Sequence, residues 1–200
     1  MIQNLPPVIL ASKSPRRQQL LAAMGITYES LLKEVDEQFP PGLKPEEVAV
    51  YISEQKAAAF AEHSGTHLVI TSDTIVALDG EILGKPADAA HASDMLNRLA
   101  GRAHEVYTGV TLFYQQHKVS FFDCSEVFFR SVTQAEIDHY LTVGQPFDKA
   151  GAYGVQDWWG LVVVERINGS YTNVMGLPTE RLYLELKEFA GRARQRQEKL

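Results

Sequence analysis

Apolar positions along this chain switch between the alternation of strands and the three-and-four spacing of helices. Residues 8–11 are a short apolar run that reads as a strand, and residues 15–24 read as a helix closed by Gly25. Residues 28–32 carry a second strand pattern, and Pro40, Pro41 and Gly42 make 39–43 a loop. The next helix spans 45–63, with Pro45, Glu46 and Glu47 in its first turn and a stripe of Val48, Tyr51, Ile52 and Ala59. Residues 68–72 read as a strand, and 74–83 as a hairpin about Asp79-Gly80, a pair suited to a two-residue turn. Asp88 caps a helix with the stripe Ala92, Met95, Leu96 and Leu99, ending at Gly101.

Two β-rich segments follow at 104–114 and 119–132, then a short helix at 133–143 and a loop at 144–154. Residues 161–167 read as a strand, and Pro178 opens the last helix, whose charged stretch 192–199 reads as its solvated end. Strands and helices interleave, yet hairpin neighbours occur. The pattern predicts an α/β fold with a mixed twisted sheet flanked by helices.

Composition narrows the function classes. Nineteen Lys and Arg stand against 25 Asp and Glu, a net charge of −6, which argues against broad electrostatic binding to nucleic acid. An anion site on such a chain is a local cluster of cations. Cys124 is the only cysteine, which excludes a disulfide framework or a cysteine-built zinc site within one chain and suits a reducing compartment. Residues 1–8 hold two prolines and no basic start, unlike a signal peptide. No apolar run approaches the ~20 residues of a membrane span. The expectation is a cytoplasmic protein without a membrane partner.

The chemistry starts at Ser12-Lys13-Ser14-Pro15-Arg16-Arg17. Ser14 is a natural N-cap and Pro15 suits the first helical position, so Arg16 and Arg17 fall in the first turn. That end of a helix is already partially positive, and each arginine opposes it by roughly a few tenths of a kcal/mol. Two readings fit: solvated arginines, or an anion held jointly by backbone N–H groups and guanidinium groups.

A second cluster joins Ser72-Asp73-Thr74 to Gly84-Lys85-Pro86. In a two-residue hairpin Thr74 opposes Lys85, which brings Asp73, Thr74 and Lys85 together at its open end. Strict alternation puts Asp73 and Lys85 on opposite faces, so a bulge or a strand end has to relax it. An ordinary ion pair and a functional site both fit that arrangement. Lys56 lies at the edge of its helix's apolar stripe. Its residue pattern fits a stem laid along the core with the ammonium in water. His63 and His67 are separated by Gly65, His104-Glu105 lacks a second histidine, and no Gly-x-Ser-x-Gly elbow occurs.

Six stretches appear together and in order: residues 10–17, 72–76, 82–86, 101–110, 148–156 and 167–178. They begin with Leu10-Ala11-Ser12 and end with Gly176-Leu177-Pro178, passing through Asp148-Lys149-Ala150-Gly151-Ala152-Tyr153-Gly154-Val155-Gln156. Together they resemble the Maf family of nucleotide pyrophosphatases. The resemblance implies one Maf-like domain over residues 1–200, with two lobes about a central cleft as in inosine triphosphate pyrophosphatases, and often a homodimer. It implies cleavage of a nucleoside triphosphate between the α and β phosphates with Mg²⁺ or Mn²⁺, and a role in removing non-standard nucleotides.

Carried over by motif, the site holds Ser12, Arg16, Arg17, Glu37, Lys56, Asp73, Thr74, Lys85 and Gln156. Arg17, Lys56, Lys85 and Asp73 are its catalytic group, and Lys56 then faces the phosphates. Asp73 and Glu37 are its metal carboxylates. Ser12, Arg16, Thr74 and Gln156 are its substrate contacts, the last two toward base or sugar. Arg16, Thr74 and Gln156 resemble the dTTP- and UTP-preferring branch. The other readings are the 7-methyl-GTP branch and a nucleotide-binding regulator of septation with little turnover. The chain departs from its branch at Ser72, where Ala is usual, and at Asp157 and Trp159, where glycines are usual. Trp158 and Trp159 fit either base stacking or a packing and dimer role.

Overall fold

A computed structural model of the chain describes residue 2 and residues 5–197, and of 192–197 the backbone alone. The side chains of the charged stretch 192–199 therefore lie outside the described residues. β1 (Val8–Leu10) is apolar at every position and buried, as an inner strand requires. It lies parallel to both β2 (Glu29–Ser30) and β3 (Leu68–Leu78). β4 (Glu81–Leu83), β5 (Ala103–Tyr114), β6 (His117–Phe129) and β7 (Val164–Asn168) add antiparallel neighbours. The seven strands run β2-β1-β3-β5-β6-β7, with β4 hydrogen-bonded to β3 beside this row. The sheet is mixed and carries helices on both faces, the expected α/β class.

One face of the sheet takes α2 (Pro45–Ala58), which packs over β3, β5 and β6. The contact is unusually close. A Cβ on Gly109 of β5 would lie 2.3 Å from the backbone carbonyl of Ala49. Polar groups stitch the seam: Ser53 Oγ is 2.8 Å from Thr111 Oγ1, and Thr71 Oγ1 donates to Ser53 O at 2.6 Å. Buried hydroxyls survive there because each has a partner.

The other face holds two separate apolar clusters. Leu21 of α1 (Pro15–Ala23) and Leu182, Leu186 and Phe189 of α7 (Thr179–Gln197) cover Leu10, Ile70 and Val110. Residues of α3 (Ala89–Leu99), α4 (Gln134–Gly144) and α5 (Trp158–Val163) cover Val76, Val106 and Phe129. Between the clusters runs a polar seam under α6 (Tyr171–Met175). Asn173 Nδ2 donates to Val106 O and Ser125 Oγ, and Thr108 Oγ1 donates to Asn173 O.

Three expectations need correction. β3 is one continuous strand, where the sequence predicts a strand at 68–72 and a separate hairpin over 74–83; polar Ser72 and Asp73 stay in it because both find partners. α2 ends at Ala58, five residues early, because Phe60, Ala61, His63 and Ser64 wind on with tighter i to i+3 bonds ahead of Gly65. The run at 161–167 starts inside α5, whose Trp159 and Val163 are buried one turn apart, and becomes strand only at Val164. Its short apolar, β-branched sequence suits either state. Among the described residues, no helix is long and apolar enough to cross a membrane.

Candidate active site

β1 pairs with β3 through Ile70, and β4 pairs with it from Val76 onward. Residues 71–75 therefore have a strand on one side only, that of β5. A cleft of about 1210 Å³ opens over this bare edge and is lined by all nine residues expected at the site. The edge also resolves the alternation problem. Asp73 points with Thr71 toward α2, while Ser72 and Thr74 point toward α6. With no strand in the way, both faces serve one cavity.

Lys56 occupies the centre on the α2 side. Its ammonium lies 2.7 Å from Asp73 Oδ1 and 2.7 Å from Glu37 Oε1, and its side chain is 16% exposed. It is not a lysine whose head reaches into water. Lys85 completes the chain of charges, with Nζ 3.3 Å from Glu37 Oε2. Burial raises the Glu37 pKa, but hydrogen bonding and charge from Lys56, and then Lys85, outweigh it and bring it down to about 2. Lys85 arrives by a different route from the one expected. β4 stops at Leu83, so Lys85 leaves the hairpin, and Thr74 faces Thr108 of β5 instead. Glu37 links Lys85 to Lys56 and hence to Asp73.

Across the edge stands the first turn of α1. Ser14 caps it, accepting from the Arg17 backbone at 3.5 Å, and Pro15 opens it, as the sequence requires. Arg17 is partly buried. Its Nε donates to Gly176 O at 2.8 Å, Nη1 to Ser72 O at 2.8 Å and Nη2 to Thr74 Oγ1 at 3.0 Å. Burial lowers its pKa, opposed by the charge of Asp73. Arg17 thus ties α1 to the β3 edge, a role that the choice between a solvated arginine and an anion contact did not include. Arg16, beside it, lines the cleft. Ser12 Oγ accepts from the Ser14 backbone at 3.2 Å, which shapes the turn into α1.

Gln156 lies at the far wall, and its Nε2 donates to Asp157 Oδ1 at 2.9 Å. The sequence pattern of the family described as Maf-like protein matches residues 7–189. The chain belongs to the Maf-like family. It is 47% identical to a Phocaeicola vulgatus protein named dTTP/UTP pyrophosphatase, over 94% of this chain and 100% of that one. Proteins of the same name from Porphyromonas gingivalis and Bacillus cereus (strain ATCC 10987 / NRS 248) are each 43% identical over 94% of this chain, and 98% and 92% of their own. Among solved structures, a HAM1 protein from Coxiella burnetii aligns with 62% of this chain and 73% of its own at 12% identity and a TM-score of 0.42, too loose a likeness to bear on the fold.

In this Maf-like chain the cleft also holds residues that the sequence reading gave no part. Lys149 lines it with a side chain only 11% exposed, Nζ 2.8 Å from Asp148 Oδ1 and 3.5 Å from Asp157 Oδ2. Its one signal was its place in the stretch 148–156. Gly109, under α2 and not in the cleft lining, had a signal too, because a glycine inside a strand marks close approach of another backbone. Of the two tryptophans, Trp159 is fully buried against Phe129 and Tyr140, and Trp158 packs on His139 and Tyr140. Both pack among α4, α5 and the sheet rather than stacking in the cleft. Ser72 uses its hydroxyl to reach Gly176 O at 3.0 Å, the carbonyl that Arg17 also binds.

Among the described residues no group of three or more His, Cys, Asp or Glu side chains is placed to hold a metal ion. Asp73 and Glu37, converging on one ammonium, are a two-carboxylate donor set open toward the cleft. That suits Mg²⁺ or Mn²⁺, which takes one or two carboxylates and completes its shell with water and substrate phosphates.

Proposed function

We propose that this chain hydrolyses dTTP and UTP to the monophosphate and pyrophosphate. The observation that carries the reading is Lys56 lodged between Asp73 and Glu37, on an open strand edge faced by the first turn of α1. The names of its Maf-like relatives supply the substrate pair. Arg16, Lys56 and Lys85 meet the triphosphate oxygens, while Arg17 fixes the helix end that presents them. One charge pair ~4 Å apart is worth about 1 kcal/mol in water and about 4 at an effective dielectric of 20. Partly enclosed cations therefore outweigh the exposed ones elsewhere on this acidic chain.

Water attacks the α-phosphorus and pyrophosphate leaves. The transition state spreads charge over phosphate oxygens, so the protein contributes mainly position and field. Asp73 accepts the water proton, and Lys56 holds that carboxylate in place. Asp73 and Glu37 would hold Mg²⁺ or Mn²⁺, which would supply charge neutralisation at the phosphates. Thr74 and Gln156 offer neutral donors and acceptors to sugar or base.

The test is product analysis with dTTP, UTP and either cation. Monophosphate plus pyrophosphate is expected, and diphosphate plus orthophosphate contradicts the bond assignment. Tight nucleotide binding without turnover under every cation points instead to a regulator.

A further inference from the structure

Asp157 follows Gln156, which lines the cleft, and the structure gives it partners on both oxygens. Oδ1 accepts from Gln156 Nε2 at 2.9 Å. Oδ2 accepts from Tyr140 Oη at 3.4 Å and lies 3.5 Å from Lys149 Nζ. Tyr140 Oη in turn accepts from the Gly154 backbone at 3.2 Å. Burial raises the Tyr140 pKa, so its hydroxyl stays a donor. The space is shaped for this carboxylate. A Cβ on Gly154 would come within 2.3 Å of Asp157 Oδ2 and 3.0 Å of Gln156 Nε2.

An ionised carboxylate only accepts hydrogen bonds, whereas an amide has a donor end and an acceptor end. Facing Asp157, Gln156 has to turn its NH₂ group to the carboxylate. Its Oε1 is then the end turned away from Asp157, in a side chain that lines the cleft. Uracil and thymine carry a proton on N3, and cytosine carries a lone pair there. We propose that Asp157 is a positioning residue that locks the Gln156 amide in the orientation that accepts from a pyrimidine imide, and so selects uracil and thymine against cytosine. The inference rests on the proposed hydrolysis of dTTP and UTP.

Its test is the ratio of kcat/KM for UTP to that for CTP, in the full chain and in Asp157→Ala and Asp157→Asn. The Asn variant keeps the volume, but the Tyr140 hydroxyl and the Lys149 ammonium claim its oxygen, so its NH₂ faces Gln156 and turns that amide over. Both variants are expected to lower the ratio by about tenfold, the scale of one hydrogen bond, with the change in KM rather than kcat. General loosening of the loop would slow both substrates alike and leave the ratio alone. An unchanged ratio in either variant overturns the proposal while leaving UTP hydrolysis standing. A native chain that releases no pyrophosphate from UTP removes both.

Discussion

The Lys56 ammonium reaches within 2.7 Å of the Asp73 carboxylate because Gly109, paired with Asp73 on the neighbouring strand, leaves room for α2 to settle on the sheet. A Cβ there would meet the Ala49 carbonyl at 2.3 Å, which is backbone and cannot swing aside. Gly109→Ala is therefore expected to lift α2 and draw Lys56 away from Asp73. Overpacking of this kind costs about 1–3 kcal/mol. Urea unfolding should show that loss, and turnover should fall with it. Unchanged stability would mean that α2 has slack the packing does not reveal.

Lys56 itself separates two carboxylates. Replacing it with Met leaves Asp73, whose side chain is 13% exposed, facing Glu37 without the charge between them. Removing a charge-stabilising donor from a partly enclosed site lowers turnover by roughly 100-fold or more. Lys56→Arg keeps the charge but not the compact head that fits between two oxygens. It should recover binding of dTTP, read by equilibrium dialysis, better than turnover. Full activity in Lys56→Met would remove the residue from the chemistry.

Glu37 gives the site a pH signature. Its folded pKa of about 2 lies below its ordinary 4.5. The stabilisation is complete above 4.5 and disappears as the pH falls toward 2, where folded and unfolded chains bind the proton equally. Paired urea titrations of the native chain and Glu37→Gln should differ by a constant amount from pH 8 to 5, then converge below pH 4.5. The gap will be modest, because the Glu37 side chain is 44% exposed and solvent screens the pair. A gap that widens on acidification contradicts the charge chain.

Local chemistry was legible in the sequence, and pairing between distant segments was not. Ser14 and Pro15 announce the start of α1, and Asp88 that of α3, because caps are settled within four residues. The bare edge of β3 depends on where β1 stops and β4 starts. Those strands come from opposite ends of a seventy-residue stretch, and no local pattern encodes their gap. Lys85 shows the consequence: hairpin geometry places it opposite Thr74, while its observed partner, Glu37, lies in a loop without periodicity. Lys56 was ambiguous because the helical stripe fixes only which edge it occupies. The nine residues grouped by family resemblance do line one cleft, yet one of the three anchoring bonds of Arg17, to Gly176 O, depends on α6, a helix that the residue pattern did not predict.

Adjacent in sequence, Arg16 and Arg17 should separate cleanly under mutation. Arg17 spends three donors on Gly176 O, Ser72 O and Thr74 Oγ1, joining α1, β3 and the end of α6. Lysine has a single nitrogen and cannot span all three acceptors. Arg17→Lys strands polar groups in a partly buried seam, at about 1–3 kcal/mol for each one left unsatisfied. It should lower the melting temperature by several degrees and depress kcat, because the end of α1 shifts against the β3 edge. Arg16 lines the cleft beside it and anchors no comparable seam. Arg16→Ala should leave the melting temperature nearly unchanged and raise KM for dTTP through the loss of one phosphate contact. Thermal denaturation alongside steady-state kinetics on the two variants decides the matter. Equal stability in both would show that the Arg17 bonds carry little of the fold, and a kcat loss without a KM change in Arg16→Ala would move that residue from binding into the transition state.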